Sequence, residues 1–198
     1  MIVYHGTNLF SAKVIRRYGV WLSVQRPLTD FGRGFYVTFH LKQAKKWAKV
    51  RALHPQVHPL LLKRLKMSEE DFWQHSDTQQ PAYLIFHLDV GRLRTLRGKV
   101  FPTPRDPEWP IYRRRWASFV TRCRAGIQHP YDFVYGPVAG WHRLIPGRIR
   151  LAFRKDQLSL NSPRALQCLS GGTVVVLSQT KPKAGLKLRE NGYLPSRL

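Results

Sequence analysis

The sequence predicts an α+β chain folded as one domain. Short β-branched and aromatic runs are interspersed with stretches of helical, amphipathic spacing. A length of 198 residues suits a single domain with a real core, and an apolar share of 43% with six Trp argues for a globular chain.

The elements follow in order. Ile2 to Tyr4 reads as a strand, and Asn8 to Tyr18 as a short helix with Leu9, Ala12, Val14 and Ile15 on its apolar side and Gly19 as its stop. Gly34 to Phe39 is a β-branched and aromatic strand. Leu41 to Leu53 is a helix with Ala44, Trp47 and Ala48 inward, ended by His54-Pro55. Residues 56–80 are polar and basic with a Leu60 to Leu62 run. Within them Ser68 and Asp71 stand in capping-box positions at the start of a further helix. Tyr83 to Asp89 alternates as a strand, with Leu84, Phe86 and Leu88 on one face. Residues 101–110 are a Pro-rich loop, and Pro110 to Gly126 is an Arg-rich helix with Trp116, Phe119 and Val120 apolar. Tyr131 to Tyr135 and Gln157 to Leu160 are later strands; Gly136-Pro137 ends the first of them. Ser162 to Leu169 is a short helix with Pro163 at its first position, and Thr173 to Leu177 a last strand. The expected division is a domain over 1–177 and a basic, flexible tail over 178–198.

Charge narrows the partners. Lys and Arg number 34 against 11 Asp and Glu, a net charge of +23. Arg-rich clusters include Arg92 and Arg94, Arg113 to Arg115, and Arg148 and Arg150. Guanidinium groups bind phosphate bidentately, so such an imbalance points to a polyanion, most often nucleic acid. A solvated basic surface with no dedicated partner is the plainer alternative. Two cysteines make no disulfide framework, and no Cys-x-x-Cys pair occurs; no metal is expected. No run approaches the ~20 apolar residues of a membrane helix, so no membrane partner is expected. Met1-Ile2-Val3-Tyr4 enters a strand directly without a signal-like segment, and a cytoplasmic setting is expected. Neither G-x-S-x-G nor G-x-x-x-x-G-K occurs, which removes the hydrolase elbow and the Walker loop.

Two segments carry the chemistry. Tyr4-His5-Gly6-Thr7 ends the first strand with a His-Gly pair. Asp30-Phe31-Gly32-Arg33-Gly34-Phe35-Tyr36 places two glycines one residue apart before the second. Glycine permits tight turns and close approach of backbone to ligand. An imidazole donates or accepts at a sugar hydroxyl, and an aromatic face stacks on a cationic ring for roughly 0.5–2 kcal/mol. Two such strand ends suit a planar, sugar-linked ligand such as nicotinamide riboside. Arg33, beside the glycines, is placed to reach a pyrophosphate.

These residues resemble the diphtheria-toxin and poly(ADP-ribose) polymerase branch of the ADP-ribosyltransferases. The chain is still more similar to a bacterial family of that superfamily catalogued as a domain of unknown function. The shared blocks are Tyr4 to Thr7, Asp30 to Tyr36, Gln43-Ala44-Lys45-Lys46-Trp47-Ala48, Tyr131 to Ala139 and Gln157 to Leu166, so the likeness spans residues 1–170. It implies two small, mostly antiparallel sheets in a split β-sandwich with flanking helices, and NAD as a substrate that loses nicotinamide. It implies a triad of His5, Tyr36 and Gln157. His5 would hold the nicotinamide ribose, the backbone of Gly6 the carboxamide, and Tyr36 the nicotinamide ring. Thr7, Gly32, Arg33, Gly34 and Trp47 complete the implied NAD site, with Trp47 as a second aromatic on the ring. Where many relatives end the triad in Glu, this chain has Gln157; an amide binds a hydroxyl but is no general base. Asp156 alternates to the opposite face of a regular strand. The resemblance also implies a toxin of a toxin–antitoxin or phage-defence system, with RNA or DNA as acceptor and an acidic antitoxin as partner. Modification of a protein side chain, and a catalytically dead nucleic-acid-binding module on the same fold, remain as alternatives.

Overall fold

The computed structural model describes residues 1–140 and 151–178, with side chains from Lys155 onward in the second stretch. Arg148, Arg150 and the expected tail from residue 179 lie outside the described residues.

The fold is α+β, with two small, mostly antiparallel sheets and helices around them. The first sheet orders β1 (Ile2–Asn8), β3 (Pro81–Leu88) and β7 (Leu169–Val176), all antiparallel. The second orders β2 (Phe35–Val37), β6 (Leu151–Leu160), β5 (Phe133–Ala139) and β4 (Gly98–Val100); only β4 and β5 run parallel. Between the sheets the backbone of Tyr4 exchanges two hydrogen bonds with Thr38, at 2.8 and 2.9 Å. Beyond this bridge β1 and β2 separate, and the gap becomes a cleft.

Alternation along the strands fills the space between the sheets. Val3, Leu84, Phe86 and Leu88 of the first sheet meet Phe35, Val37, Phe133, Leu158 and Leu160 of the second. Helix α1 (Leu9–Tyr18) contributes Leu9 and Ala12 to this core, and α7 (Pro163–Leu166) contributes Ala165. A second core lies on the other face of the second sheet. There α6 (Trp109–Arg124) buries Trp109, Trp116 and Val120 against Phe31, Phe101 and Val134. The Trp116 indole donates to the carbonyl of Pro137, so its one polar group is satisfied. Helix α2 (Leu41–Leu53) packs on β1 and β3 and forms a wall of the cleft. No helix of the described residues is long and apolar enough to cross a membrane.

Several boundaries differ from expectation for physical reasons. β1 runs on from Tyr4 to Asn8 because Gly6 pairs with Tyr83; Asn8 then caps α1 through its side chain, which accepts from Ser11. β5 continues through Gly136-Pro137 to Ala139. Pro137 is tolerated there beside a register shift against β6, where the ladder is already broken. β6 starts at Leu151 rather than Gln157, and β7 at Leu169 rather than Thr173, so α7 is only four residues long. The segment before Ser68 forms α3 (Pro59–Leu65), and α4 (Glu69–Gln74) opens with the expected capping box. Two further short elements, β4 and α5 (Val90–Arg94), lie where no element is expected.

Candidate active site

A cleft of about 480 Å³ opens where β1 and β2 part, within the size range of small-molecule sites. His5, Gly6, Gly34, Tyr36, Trp47 and Gln157 all line it. Thr7 is buried outside it, Gly32 shapes the turn behind it, and Arg33 is exposed with its guanidinium on the carbonyl of Ser23 at 2.8 Å.

His5 is fixed by a hydrogen bond from Nδ1 to the Tyr36 carbonyl at 2.7 Å. A carbonyl only accepts, so Nδ1 carries the proton and Nε2 is left as an acceptor. The ring lies 4.4 Å from that of Phe35, and burial lowers its pKa from the ordinary 6.5 to about 4. His5 is therefore neutral near pH 7. The folded state resists a proton that the unfolded chain accepts, so this group opposes folding increasingly as pH falls from 6.5 towards 4. His5→Gln is expected to flatten the fall in melting temperature over that window; thermal unfolding at pH 7, 6 and 5 checks it.

The turn before β2 is closed by Tyr36 itself. Its hydroxyl accepts from the amide of Phe31 at 2.9 Å and donates to the carbonyl of Gly32 at 2.8 Å, with Thr29 Oγ1 2.8 Å away. Burial pushes the phenol well above its ordinary pKa, so it stays protonated. The hydroxyl is thus occupied with the turn, and what Tyr36 offers the cleft is its ring. Gly32 has φ +69°, the left-handed region, whereas Gly34 is glycine for another reason: a Cβ there would overlap Ser159 Oγ on β6. Asn161 holds the turn from the same side by donating to the carbonyls of Phe31 and Arg33.

Gly6 meets α2 on its side-chain face, where a Cβ would overlap the carbonyl oxygen of Ala44. Its peptide groups point elsewhere. Alternate residues of a strand aim their N–H and C=O the same way, and those of Tyr4 go to Thr38, just after β2. The peptide groups of Gly6 therefore face the gap between β1 and β2.

Gln157 stands on β6 beside Gly136, and its Nε2 donates to Asp30 Oδ2 at 2.7 Å. The amide is thereby oriented, with Oε1 left to accept. Asp30 is 8% exposed and also takes the amide of Ala139 at 2.8 Å and the guanidinium of Arg124 at 2.5 Å. Arg124 comes from the inner face of α6 and pairs with the carboxylate that would otherwise be a lone buried charge. Asp156 does face away: it accepts from Tyr135 at 2.8 Å and lies 3.3 Å from His40 on the other side of the sheet. Asp132 is also outside the cleft, accepting from the amide of Arg97 and lying 3.6 Å from Arg164.

The cleft also holds residues that sequence reasoning passed over. Arg26 and Arg51 both line it. Arg51 follows Ala44 and Trp47 at helical spacing on α2, a signal present in the sequence. Arg124 and the grip of Asp30 on Gln157 had no such signal. Of the basic clusters, Arg92 and Arg94 on α5 and Arg113, Arg114 and Arg115 on α6 are exposed and away from the cleft.

A family model described as "Protein of unknown function (DUF3990)" matches residues 1–143. No curated protein and no solved structure matches the chain. The matched residues include β1, the Asp30–Tyr36 turn, α2 and Arg124, and stop short of Gln157. The chain belongs to the DUF3990 family.

Proposed function

We propose that the protein is an NAD-dependent ADP-ribosyltransferase with an ADP-ribosyltransferase-like split β-sandwich fold, and that nucleic acid is its acceptor. The observation that carries the reading is the convergence of His5, Tyr36 and Gln157 on one cleft, each fixed through the Asp30–Tyr36 segment. The polar and aromatic groups of the cleft suit nicotinamide riboside. His5 Nε2 and Gln157 Oε1 are acceptors for two ribose hydroxyls, the peptide of Gly6 suits a carboxamide, and the rings of Tyr36 and Trp47 suit the pyridinium.

The chemistry follows from that placement. The bond between ribose C1′ and the nicotinamide nitrogen breaks, and its electron pair leaves with nicotinamide. The sugar passes through an oxocarbenium-like state, and the acceptor's nucleophile bonds to C1′ and loses its proton to water. Gln157 and His5 hold the ribose hydroxyls, and Asp30 orients Gln157. Rate enhancement then rests on positioning and electrostatics rather than on a general base.

Incubation with NAD labelled in its adenylate, in a mixture of RNA, DNA and protein, tests the reading. Nuclease-sensitive label supports it. Protease-sensitive label moves the acceptor to protein, and no label with no nicotinamide released leaves a binding module. The exposed arginines of α6 suit the phosphate backbone. Replacing Arg113, Arg114 and Arg115 by Glu is expected to weaken nucleic-acid binding about equally across sequences. It is also expected to flatten the slope of log K against log salt by roughly 0.7–0.9 for each phosphate no longer neutralised, while nicotinamide release stays unchanged. Filter binding across a salt series checks it. The same reading gives the protein a toxin's role and an acidic protein partner to cover a chain of net charge +23.

A further inference from the structure

Arg26 and Arg51 line the same cleft as His5 and Gln157, and neither has a carboxylate partner among the described residues. The nearest acid on the cleft wall, Asp30, is already taken by Arg124, Gln157 and Ala139. Arg51 is half-buried; it donates to the neutral Gln56 at 2.7 Å, and its guanidinium sits 5.9 Å from the centre of the Trp47 ring. The guanidinium of Arg51 has its pKa lowered to about 10, first by burial and then by the charge of Arg26. Burial lowers that of Arg26 as well. Folding thus brings two like charges to the lining of one cleft, Arg51 half-buried and Arg26 more exposed, without a carboxylate among the described residues to offset them. Arg33, the residue beside the glycines, is turned away to Ser23.

We infer that Arg26 and Arg51 form a subsite for a diphosphate, the two guanidinium groups holding the two phosphoryl groups of a nucleoside diphosphate ester. Two separate forks match two linked phosphates better than one, because each guanidinium presents paired N–H donors to one phosphoryl group. Trp47 beneath Arg51 limits the swing of that guanidinium, so little ordering is left for the ligand to impose. The assignment rests on the transferase reading only for the identity of the ester as NAD; the anion site stands on the arginines alone. It also makes ADP-ribose, ADP and inorganic pyrophosphate competitors for the cleft.

The test is calorimetric titration of the full chain with ADP-ribose, inorganic pyrophosphate and nicotinamide. The proteins are the wild type, Arg26→Gln, Arg51→Gln and Arg16→Gln, the last an exposed residue of α1 outside the cleft. Each cleft variant is expected to weaken ADP-ribose and pyrophosphate about tenfold while leaving nicotinamide unchanged, and Arg16→Gln is expected to change neither. Equal affinity for ADP-ribose in wild type and Arg26→Gln, a substitution at an exposed residue, overturns the subsite. So does an equal loss in Arg16→Gln, which marks binding to general surface charge. Nicotinamide release from NAD is followed in parallel. Release with an unchanged KM in both cleft variants sinks the subsite and spares the transferase reading. Arginine-dependent binding of ADP-ribose without any release keeps the subsite and sinks the transferase.

Discussion

Gln157→Ala is expected to lower NAD-dependent transfer by about 100-fold, the size of effect seen when one hydrogen-bonding group aimed at a transition state is removed. Asp30→Asn is expected to lower it by about 10-fold or more without touching the ligand, because an outer partner orients the group that does. The charge of Asp30 keeps Gln157 Nε2 turned inward. An Asn there can present its own NH₂ to the Gln157 amide, which then flips and offers a donor where an acceptor is needed. The loss should fall on kcat more than on KM. The same contact decides the outcome of Gln157→Glu. A second carboxylate would stand against Asp30 Oδ2, now 2.7 Å from Nε2, and like charges so close share a proton. The new carboxyl's pKa is raised in the folded state, so its own contribution to stability is present at low pH and is lost as pH rises through the carboxylate range to neutral. Glu at 157 is therefore expected to fall below wild-type activity at pH 7 rather than to supply a general base. Steady-state nicotinamide release and unfolding at pH 5 and 7 measure both effects.

Gly6→Ala is the second large effect. The added methyl meets the backbone carbonyl of Ala44, an atom that no substitution at position 44 removes. Relief must come from moving β1 against α2, at a cost of about 1–3 kcal/mol or more. The two elements carry His5 on one side and Trp47 and Arg51 on the other, so the cleft opens as the packing loosens. Melting temperature and NAD affinity are expected to fall together. Gly19→Ala is the contrast: φ is +77° but nothing lies within 4 Å, so a modest loss of stability should leave NAD affinity alone. Thermal unfolding and NAD titration of the two variants separate backbone strain from the packing that shapes the cleft.

Local rules made much of this fold legible. The alternation of Leu84, Phe86 and Leu88 placed those residues in the core, and Ser68 with Asp71 announced the start of α4. The His-Gly and Gly-x-Gly segments pointed to residues that share a cleft wall. What stayed hidden depends on distance along the chain. Asp30 reads as one acid beside a turn; its partners Arg124, Ala139 and Gln157 are 94, 109 and 127 residues away. The early part of β6 reads as a basic cluster because Arg154 and Lys155 mask its strand pattern, and β4, three residues long, is too short to show a period. Pro137 reads as a strand end, and only the irregular pairing with β6 lets the strand pass through it. Arg33 drew the pyrophosphate assignment because it adjoins the glycines. The turn sends it outward, and the cleft's cations without a carboxylate partner among the described residues come from Arg26 and from a later turn of α2.

The most direct test of the central claim is quantification of nicotinamide released from NAD by the wild type and by His5→Ala and Gln157→Ala proteins with matched melting temperatures. The expected result is release by the wild type at a rate well above that of NAD alone, and its loss in both variants. Release that persists in both variants, or a wild type that neither binds NAD nor frees nicotinamide, contradicts it.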